Sequence, residues 1–167
     1  HILDSPTWEW LDHNALKEYS NERRELNYDY TIDLEEAINT ISDRAVRSVK
    51  KGNNLIILSD KQINKDKLVI PAPMAIGAVH HKLIAEGLRC DTNIIVESGS
   101  ARNPHHFAVL IGYGATAIYP YLAFEIIREL SERKANPTNI YGDSVSNYVK
   151  GINKGLLKIM SKMGISC

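Results

Sequence analysis

The sequence predicts an α/β fold in which parallel βαβ units build a layered sheet flanked by helices, wound either as a partial barrel or in a Rossmann-like manner. Short apolar runs of strand length alternate with amphipathic stretches of helical length. Each apolar run is unbroken, as expected for a strand covered on both faces. Proline and glycine stand at most of the boundaries between them. Such alternation favours parallel strands joined by right-handed crossovers.

The first regular element is a helix that follows Asp33. Asp33 is a suitable N-cap, and Glu36 three residues later gives a variant of the capping box. Gly52 suits the end of this helix. Apolar residues between these limits share one helical stripe: Leu34, Ala37, Ile38, Ile41, Ala45 and Val49.

Three apolar runs predict the strands, at residues 54–59, 93–98 and 115–119. Three strands alone leave open edges, which favours a sheet completed outside this chain.

Helices are predicted between and after these strands. Pro71 and Pro73 suit a helix start, and Gly87 suits its end. A short helix opens at Asn103-Pro104 and closes at Gly112, and residues 121–133 form another. The apolar stripe of the Pro71 helix contains Ile76, Val79, His80, Leu83 and Ile84.

The last predicted helix runs from about Ser144 to Met163. Four lysines, at i, i+4 spacing, share one face and repel one another by about 0.2–0.5 kcal/mol per pair. The four lysines are Lys150, Lys154, Lys158 and Lys162. They either form a solvated face or meet an acidic surface of an adjoining domain. The predicted buried face consists of Val145, Tyr148, Ile152, Leu156, Ile159 and Met163.

The chain divides into three predicted parts. Residues 1–32 are an irregular segment that packs on the domain, residues 33–143 are the α/β portion, and residues 144–167 are an amphipathic helix that leads into a further domain. The opening at His1 rather than Met predicts an excised piece. Large side chains in the first part need something to lie against: Trp8, Trp10, Leu11, Tyr19, Tyr28 and Tyr30.

Composition excludes several classes of function. The formal net charge is +0, which argues against nucleic-acid and acidic-membrane partners. No apolar run reaches the roughly 18 residues of a membrane span. Cys90 and Cys167 lack the spacing of zinc, iron–sulfur or thioredoxin-like sites, so we expect reduced thiols in the cytoplasm.

Candidate chemistry gathers where the second strand ends, because parallel sheets carry function at the carboxyl ends of their strands. Glu97, Ser98, Arg102, His105 and His106 fall within ten residues. A nucleophile elbow needs G-x-S-x-G, and the glycine before Ser98 is missing. The two adjacent histidines point about 100° apart, which is wrong for a helical metal pair.

Other motifs fail as well. Gly112-Tyr-Gly114 follows a helix and precedes a strand, which is the reverse of a dinucleotide loop. No catalytic, cofactor-binding or metal-binding residue is therefore assigned. Two interpretations stay open: Glu97 and Arg102 pair within the loop while one histidine is a hydrogen-bonded core residue, or the loop lines a channel or domain interface. An independent small-molecule-binding module that uses Glu97–His106 is the rival function.

Longer strings across the chain carry a family resemblance. They are Ile70-Pro71-Ala72, Gly77–Ile84, Gly87-Leu88-Arg89, Val96–Gly99, Ala101-Arg102, His105–Ala108, Gly112–Ala115, Ala117–Ala123, Asn147-Tyr148 and Lys154–Ser166. Together they closely resemble the central domain of the glutamate synthase large chain, up to its junction with the flavin domain. The resemblance covers nearly all of the chain from about Leu34.

The resemblance implies a parent enzyme with several domains. A glutaminase domain with a cysteine nucleophile precedes the central domain, and a barrel that binds FMN and a 3Fe–4S cluster follows it, ahead of a β-helix. Such an enzyme makes glutamate from glutamine and 2-oxoglutarate by reductive amination with internally channelled ammonia. The central domain connects the two active sites and holds no cofactor. Its partners are then the glutaminase and FMN domains, plus a small subunit that delivers electrons from NADPH.

The family's catalytic and cofactor residues have no positions here, because the sequence lacks an N-terminal cysteine and clustered cysteines. The resemblance implies that the piece alone is inactive. It leaves six residues as possible interface or channel-lining residues. These are Glu97, Arg102, His105, His106, Lys154 and Lys158.

Overall fold

The computed structural model describes residues 2, 3, 8, 21–133 and 137–165, the side chains of 137–140 excepted. In this part the strands are β1 Asn21–Glu25, β2 Asn27–Tyr28, β3 Leu55–Ser59, β4 Leu68–Val69, β5 Asn93–Glu97 and β6 Ala117–Tyr119. The α-helices are α1 Leu34–Lys50, α2 Ala72–Ala85, α3 Pro104–Gly112, α4 Tyr121–Glu132 and α5 Pro137–Lys162. A 3-10 turn, Arg89–Asp91, precedes β5.

The main sheet has the order β1-β3-β5-β6, and every neighbouring pair is parallel. Each later strand is added on the same side of the preceding one. A Rossmann-like sheet reverses its direction of growth at a switch point, whereas this order continues in one direction. The predicted α/β class with parallel βαβ units is confirmed.

The two faces of the sheet bury different sets of residues because side chains alternate along each strand. One face packs beneath α1, α2 and α3 through Ile56, Leu58, Ile94, Val96 and Ile118. The opposite face carries Ile57, Ile95, Ala117 and Tyr119 and is covered by Trp8, Phe124 and Val145. The central strands are therefore buried on both sides, as their unbroken apolar runs predict.

β1 is a difference from the sequence prediction, which described residues 1–32 as irregular and counted three main strands. Its residues Asn21-Glu-Arg-Arg-Glu25 show no apolar alternation. They form the outermost strand at this end of the described sheet, where backbone pairing with β3 supplies the structure and charged side chains are tolerated. The predicted division of the chain into three parts stays a prediction.

The large residues of the first segment differ in how far they are buried. Trp8 is buried, Tyr28 is partly buried and Tyr30 is exposed. Trp10, Leu11 and Tyr19 lie outside the described residues.

Most helix limits follow the predicted signals. Asp33 accepts a hydrogen bond from the Glu36 backbone N–H at 2.7 Å, and Gly52 has a φ of +94° just beyond α1. α5 begins at Pro137, earlier than the predicted Ser144. Two predicted core residues are exposed: Ile84 by 50% and Met163 by 69%.

α5 ties the two cores together. Val145 belongs to the cluster beneath Trp8, while Ile152 belongs to the cluster beneath α1–α3. Farther along, Gly155 lies so close to α3 that an added Cβ would be 2.4 Å from Pro104 Cγ. The missing side chain at Gly155 thus sets how closely α5 approaches α3. Among the described helices, none combines the length and apolar character that a bilayer crossing needs.

Two glycines of α5 predict opposite effects on stability. Gly151→Ala removes the helical penalty of glycine and meets nothing within 4 Å, so we expect it to raise the free energy of unfolding by about 0.5–1 kcal/mol. Gly155→Ala drives a methyl group into Pro104, and we expect a net loss of roughly 1–3 kcal/mol. Urea unfolding of both variants measures the change in the free energy of unfolding and shows whether its sign differs between them. Equal stabilisation by both would show that α5 does not need the close approach.

Candidate functional site: a buried polar cluster at the carboxyl end of the sheet

One register row crosses all four main strands at their carboxyl ends. Glu25 pairs with Ser59, Ser59 with Glu97, and Glu97 with Tyr119. Residues in register on parallel strands point to the same face of the sheet. The row therefore places two carboxyl groups, a serine hydroxyl and a phenol ring side by side.

Glu97 is the centre of this row, and only 1% of its side chain is exposed. Its Oε2 accepts a hydrogen bond from Ser59 Oγ at 2.7 Å and forms an ion pair with Arg23 Nη1. Lys61 Nζ lies 3.8 Å from Oε1. A buried carboxylate is tolerated only when paired and hydrogen-bonded, and Glu97 meets both conditions.

A second carboxylate, Asp60, lies directly after β3 and is also buried. Its Oδ2 accepts from Ser98 Oγ at 2.7 Å, and its Oδ1 accepts from the Gly99 backbone N–H at 2.9 Å. Tyr121 also donates to Asp60; burial, together with the negative charge of Asp60, raises the pKa of this phenol. Ser98 is thus held by a carboxylate, and the three groups link the ends of β3, β5 and β6.

Gly99 is required by the closeness of Tyr121 to the loop. A Cβ at Gly99 would lie 2.8 Å from Tyr121 Oη. The glycine of the Val96–Gly99 string therefore makes room for the tyrosine that bonds to Asp60.

Aromatic residues close the face of the sheet beside the cluster. Trp8 stacks on Tyr119 with ring centroids 5.1 Å apart, and Arg23 Cζ lies 5.7 Å from the Trp8 ring centroid. Lys61 Nζ lies 5.8 Å from the Tyr121 ring centroid. The cations that balance the carboxylates are thus themselves held against aromatic rings, a favourable arrangement.

The predicted pairing of Glu97 with Arg102 is wrong. Glu97 pairs with Arg23 and Lys61, whereas the Arg102 side chain is exposed beyond the loop. Arg102, His105 and His106 instead help to line a separate surface cavity of about 380 Å³, and Glu97 is not part of its wall. Glu97 is close to Arg102, His105 and His106 along the chain, but in the structure it does not share a cavity with them.

The histidine pair has local roles. Asn103 Oδ1 accepts from the His106 backbone N–H at 3.1 Å and caps α3, while His106 Nδ1 accepts from the Arg102 backbone N–H at 3.3 Å. His105 is exposed. The Arg102 carbonyl accepts from Tyr148 Oη at 3.1 Å, and burial raises the pKa of Tyr148 to about 12. This contact fastens the loop to α5.

A further histidine, His80, is held by a hydrogen bond from an arginine. Its Nδ1 accepts from Arg89 Nε at 2.8 Å, and the same guanidinium donates to the carbonyls of Thr92 and Gly114 at 2.7 and 3.0 Å. Partial burial, the positive charge of Arg89 and that of His81 lower the pKa of His80. Gly114, with a φ of +113°, leaves room for the imidazole ring.

The remaining predicted residues, Lys154 and Lys158, lie on α5 and are exposed together with the rest of the lysine row. Cys90 is a free, exposed cysteine, and Cys167 lies outside the described residues. Within the described ranges, no group of three or more His, Cys, Asp or Glu side chains is arranged to hold a metal ion.

The comparison with protein families decides the assignment. The model described as the glutamate synthase central domain matches residues 1–167. The chain belongs to this family. Within it, the chain is 46% identical over 138 residues to the NADPH-type glutamate synthase large chain of Bacillus subtilis, covering 82% of this chain and 9% of that one.

Other relatives are named for different electron donors. The ferredoxin-dependent glutamate synthase of Pyropia yezoensis is 43% identical over 145 residues, covering 80% of this chain and 9% of that protein. The NADH-type enzyme of Schizosaccharomyces pombe is 41% identical over 131 residues, covering 78% of this chain and 6% of that protein. This central domain thus spans less than a tenth of the relatives' length.

Solved structures add no functional argument. The YdjI aldolase of Escherichia coli K12 is 14% identical and superimposes with a TM-score of 0.35, covering 95% of this chain and 64% of that one.

Sequence reasoning missed Arg23, Lys61 and Tyr121 as members of the polar cluster. The position of Ser59-Asp60 at the end of a neighbouring strand was a signal for part of it. Nothing in the local pattern of residues 21–25 indicated a strand, so Arg23 had no predicted place beside Glu97.

We expect loss of the Arg23 guanidinium to be far more costly than loss of the Arg102 guanidinium. Arg23→Met removes the guanidinium paired with the buried Glu97 carboxylate and leaves Lys61, 3.8 Å away, as its neighbouring cation, so it should lower the free energy of unfolding by roughly 3 kcal/mol. Arg102→Met, its matched control at an exposed position, should change it by less than about 0.5 kcal/mol. Urea denaturation at pH 7 measures both. A larger effect at Arg102 would contradict the assigned pairing.

His80 predicts a particular dependence of stability on pH. Its pKa in the folded state is below the ordinary 6.5, so the unfolded chain binds the proton more readily. The stabilising contribution of neutral His80 is fully present above pH 6.5 and is lost as pH falls through the lower, folded-state pKa. Replacing His80 by Gln should flatten this acid-side loss, whereas replacing the exposed His105 by Gln should leave it unchanged. Melting temperatures between pH 8 and pH 5 test the difference.

Proposed function

We propose that this domain connects the two active sites of a glutamate synthase large chain, which makes glutamate from glutamine and 2-oxoglutarate by reductive amination with internally channelled ammonia. The observation that carries the proposal is the family match over the whole chain. The 46% identity to the Bacillus subtilis large chain supports the same enzyme.

The domain itself has no catalytic site in this proposal, and the polar cluster supports that view. Glu97 and Asp60 are 1% and 6% exposed, and their oxygens accept from side chains or amides of the domain. A general base must reach a proton of the substrate, and a nucleophile must reach its carbon. Groups so enclosed and paired serve better to fix the strand ends than to react.

The cofactors of the parent belong to other domains in this proposal. A three-iron cluster is held by cysteine thiolates, and this chain contains only two cysteines, Cys90 and Cys167. We assign FMN and the 3Fe–4S cluster to the flavin domain that adjoins this one, and NADPH to a small subunit. NADPH as the electron source, and the cytoplasm as the compartment, are part of the proposal.

The surfaces that meet the neighbouring domains are proposed to include the lysine row of α5 and the loop at Arg102, His105 and His106. Lys154 and Lys158 present two positive charges four residues apart on an exposed helix face. An acidic surface on the adjoining domain would relieve their mutual repulsion. Glu97, buried beneath the loop, contributes by holding the strand ends in place rather than by lining a passage.

The test uses the purified full-length protein with glutamine, 2-oxoglutarate and a reduced electron donor. We expect glutamate formation with little free ammonia, whereas this domain alone should release no ammonia from glutamine. The assay measures glutamate and ammonia separately. Glutaminase turnover by the isolated domain, or no glutamate from the full-length enzyme with any donor, would sink the proposal.

A second arm of the same assay addresses the lysine row. Lys154→Glu with Lys158→Glu in the full-length enzyme should raise the free ammonia released per glutamate formed, because the charges at the domain contact are reversed. Lys51→Glu with Lys65→Glu reverses two exposed lysines elsewhere and serves as the control. An unchanged ratio with unchanged stability would show that Lys154 and Lys158 are merely solvated.

A further inference from the structure

A second polar region lies at the outer edge of the sheet, between β1 and α1. It is a cavity of about 430 Å³, here called the edge cavity. Its charged lining comprises four cations, Arg23, Arg24, Arg44 and Lys67, and two carboxyl groups, Glu25 and Asp29. Asn27 and apolar side chains of α1 complete the wall. The cavity therefore opens on the side where β1 is the outermost described strand.

The positive charge at this edge is incompletely balanced. Arg23 pairs with Glu97 and Arg24 pairs with Glu22. Arg44 and Arg47 of α1 are exposed, and neither forms an ion pair with any residue in the described part of the chain.

Other charges of the same helix have partners, which makes the two arginines distinctive. Asp43 Oδ1 lies 3.1 Å from Lys82 Nζ, and Lys50 Nζ lies 2.7 Å from Glu86 Oε2, so both are tied to α2. Arg44 lines the edge cavity, while Arg47, one turn farther along α1, lies within electrostatic reach of Arg24. The pKa of the Arg24 guanidinium is lowered. Burial is the largest cause, and the positive charges of Arg44 and Arg47 add to it.

The edge also contains buried polar atoms whose hydrogen bonds are unmet. Within the described part of the chain, Arg24 Nε is a donor without an acceptor, while Asn27 Oδ1 and Glu25 Oε2 are acceptors without a donor. Burial raises the pKa of Glu25. Leaving such atoms unsatisfied is unfavourable, so an occupant that meets them is stabilised by doing so.

The chemistry of these atoms identifies the kind of occupant. A carboxylate satisfies Arg24 and neutralises Arg44 and Arg47, but it offers no donor to Asn27. A peptide segment with an acidic side chain supplies the carboxylate and also backbone N–H groups. β1 is the outermost described strand at this end of the sheet, and an extended segment can bind along such an edge.

We propose that the edge cavity is a docking site for an acidic, extended segment from another part of the same large chain. More than nine-tenths of the Bacillus subtilis relative lies outside the region matched here, because the match covers 9% of it. The inference rests on the proposed connecting function and deepens it by naming the surface and the chemistry of one contact. The carboxylate of the segment binds Arg24, Arg44 and Arg47, and its amides bind Asn27.

Arginine footprinting of the full-length enzyme tests this without any substitution. A dicarbonyl reagent modifies accessible guanidinium groups, and peptide mass spectrometry gives a rate for each arginine. In the structure described here Arg44, Arg47 and Arg133 are all exposed. If the segment covers them, we expect their labelling to be at least about tenfold slower than that of Arg133, since protection reflects the closed fraction. Labelling at the rate of Arg133 would overturn the proposal.

Added anions separate a peptide from a free ligand. Protection that appears only after inorganic phosphate or 2-oxoglutarate is added would assign the cavity to a small anion and would overturn the peptide source. Protection in anion-free buffer supports the segment. Glutamate formation is measured on the same preparation. An active enzyme with freely labelled Arg44 refutes this docking site alone, while an inactive one bears on the proposed function.

A pair of double variants gives an independent readout. Arg44→Glu with Arg47→Glu reverses the charge facing the segment, and we expect amide exchange in residues 21–28 of the full-length enzyme to accelerate by about tenfold. Lys51→Glu with Lys65→Glu, the same change in net charge at other exposed lysines, should leave that exchange unchanged. Equal rates in both double variants and the parent would contradict the proposal.

Discussion

The ion pair between Glu97 and Arg23 is the interaction on which the edge of this domain depends. It joins the outermost strand β1 to β5, across β3, and Ser59 of β3 donates to the same carboxylate oxygen. β1 has no apolar pattern to hold it by burial alone. Its place in the sheet therefore relies on backbone pairing with β3 and on this charged contact. Because the carboxylate is buried, removal of its partner would leave a charge in a poorly solvated site.

The same end of a parallel sheet normally carries chemistry, because loops and strand ends converge there. In this domain the convergence produces a closed network. Asp60 binds Ser98, the Gly99 amide and Tyr121, while Trp8 and Tyr119 stack across the neighbouring face. Groups that would serve as acid, base or nucleophile in an open cleft here hold the ends of four strands in register. The network therefore stabilises the arrangement of the strand ends.

The outer surfaces of the domain carry charges that are not balanced within it. On α1, Asp43 and Lys50 pair with side chains of α2, while Arg44 and Arg47 form no ion pair among the described residues. The lysine row on α5 is another unbalanced face. A net charge of +0 for the chain thus hides local surpluses of one sign. Such surpluses matter for association, because electrostatic complementarity determines which surfaces meet and in what register.

The sequence predicted the parts of the fold that depend on local patterns. Unbroken apolar runs gave β3 and β5, and the Asp33 cap gave the start of α1. It failed where structure depends on pairing at a distance. β1 is a strand because β3 lies beside it. The early start of α5 at Pro137 also differs from the local pattern, which became clearly periodic only near Ser144.

In the candidate site, too, some features follow from the sequence alone and others depend on the tertiary structure. By itself, the sequence determined the alternation of strands and helices, the family, and the concentration of polar residues after β5, since these depend on residue order alone. Only the tertiary structure decided the partners of Glu97. Arg102 is five residues away in the chain but points outward, while Arg23 is 74 positions away and lies across the sheet. The reason is geometric: strand register brings distant residues onto one face, and it separates near neighbours once the chain leaves the strand.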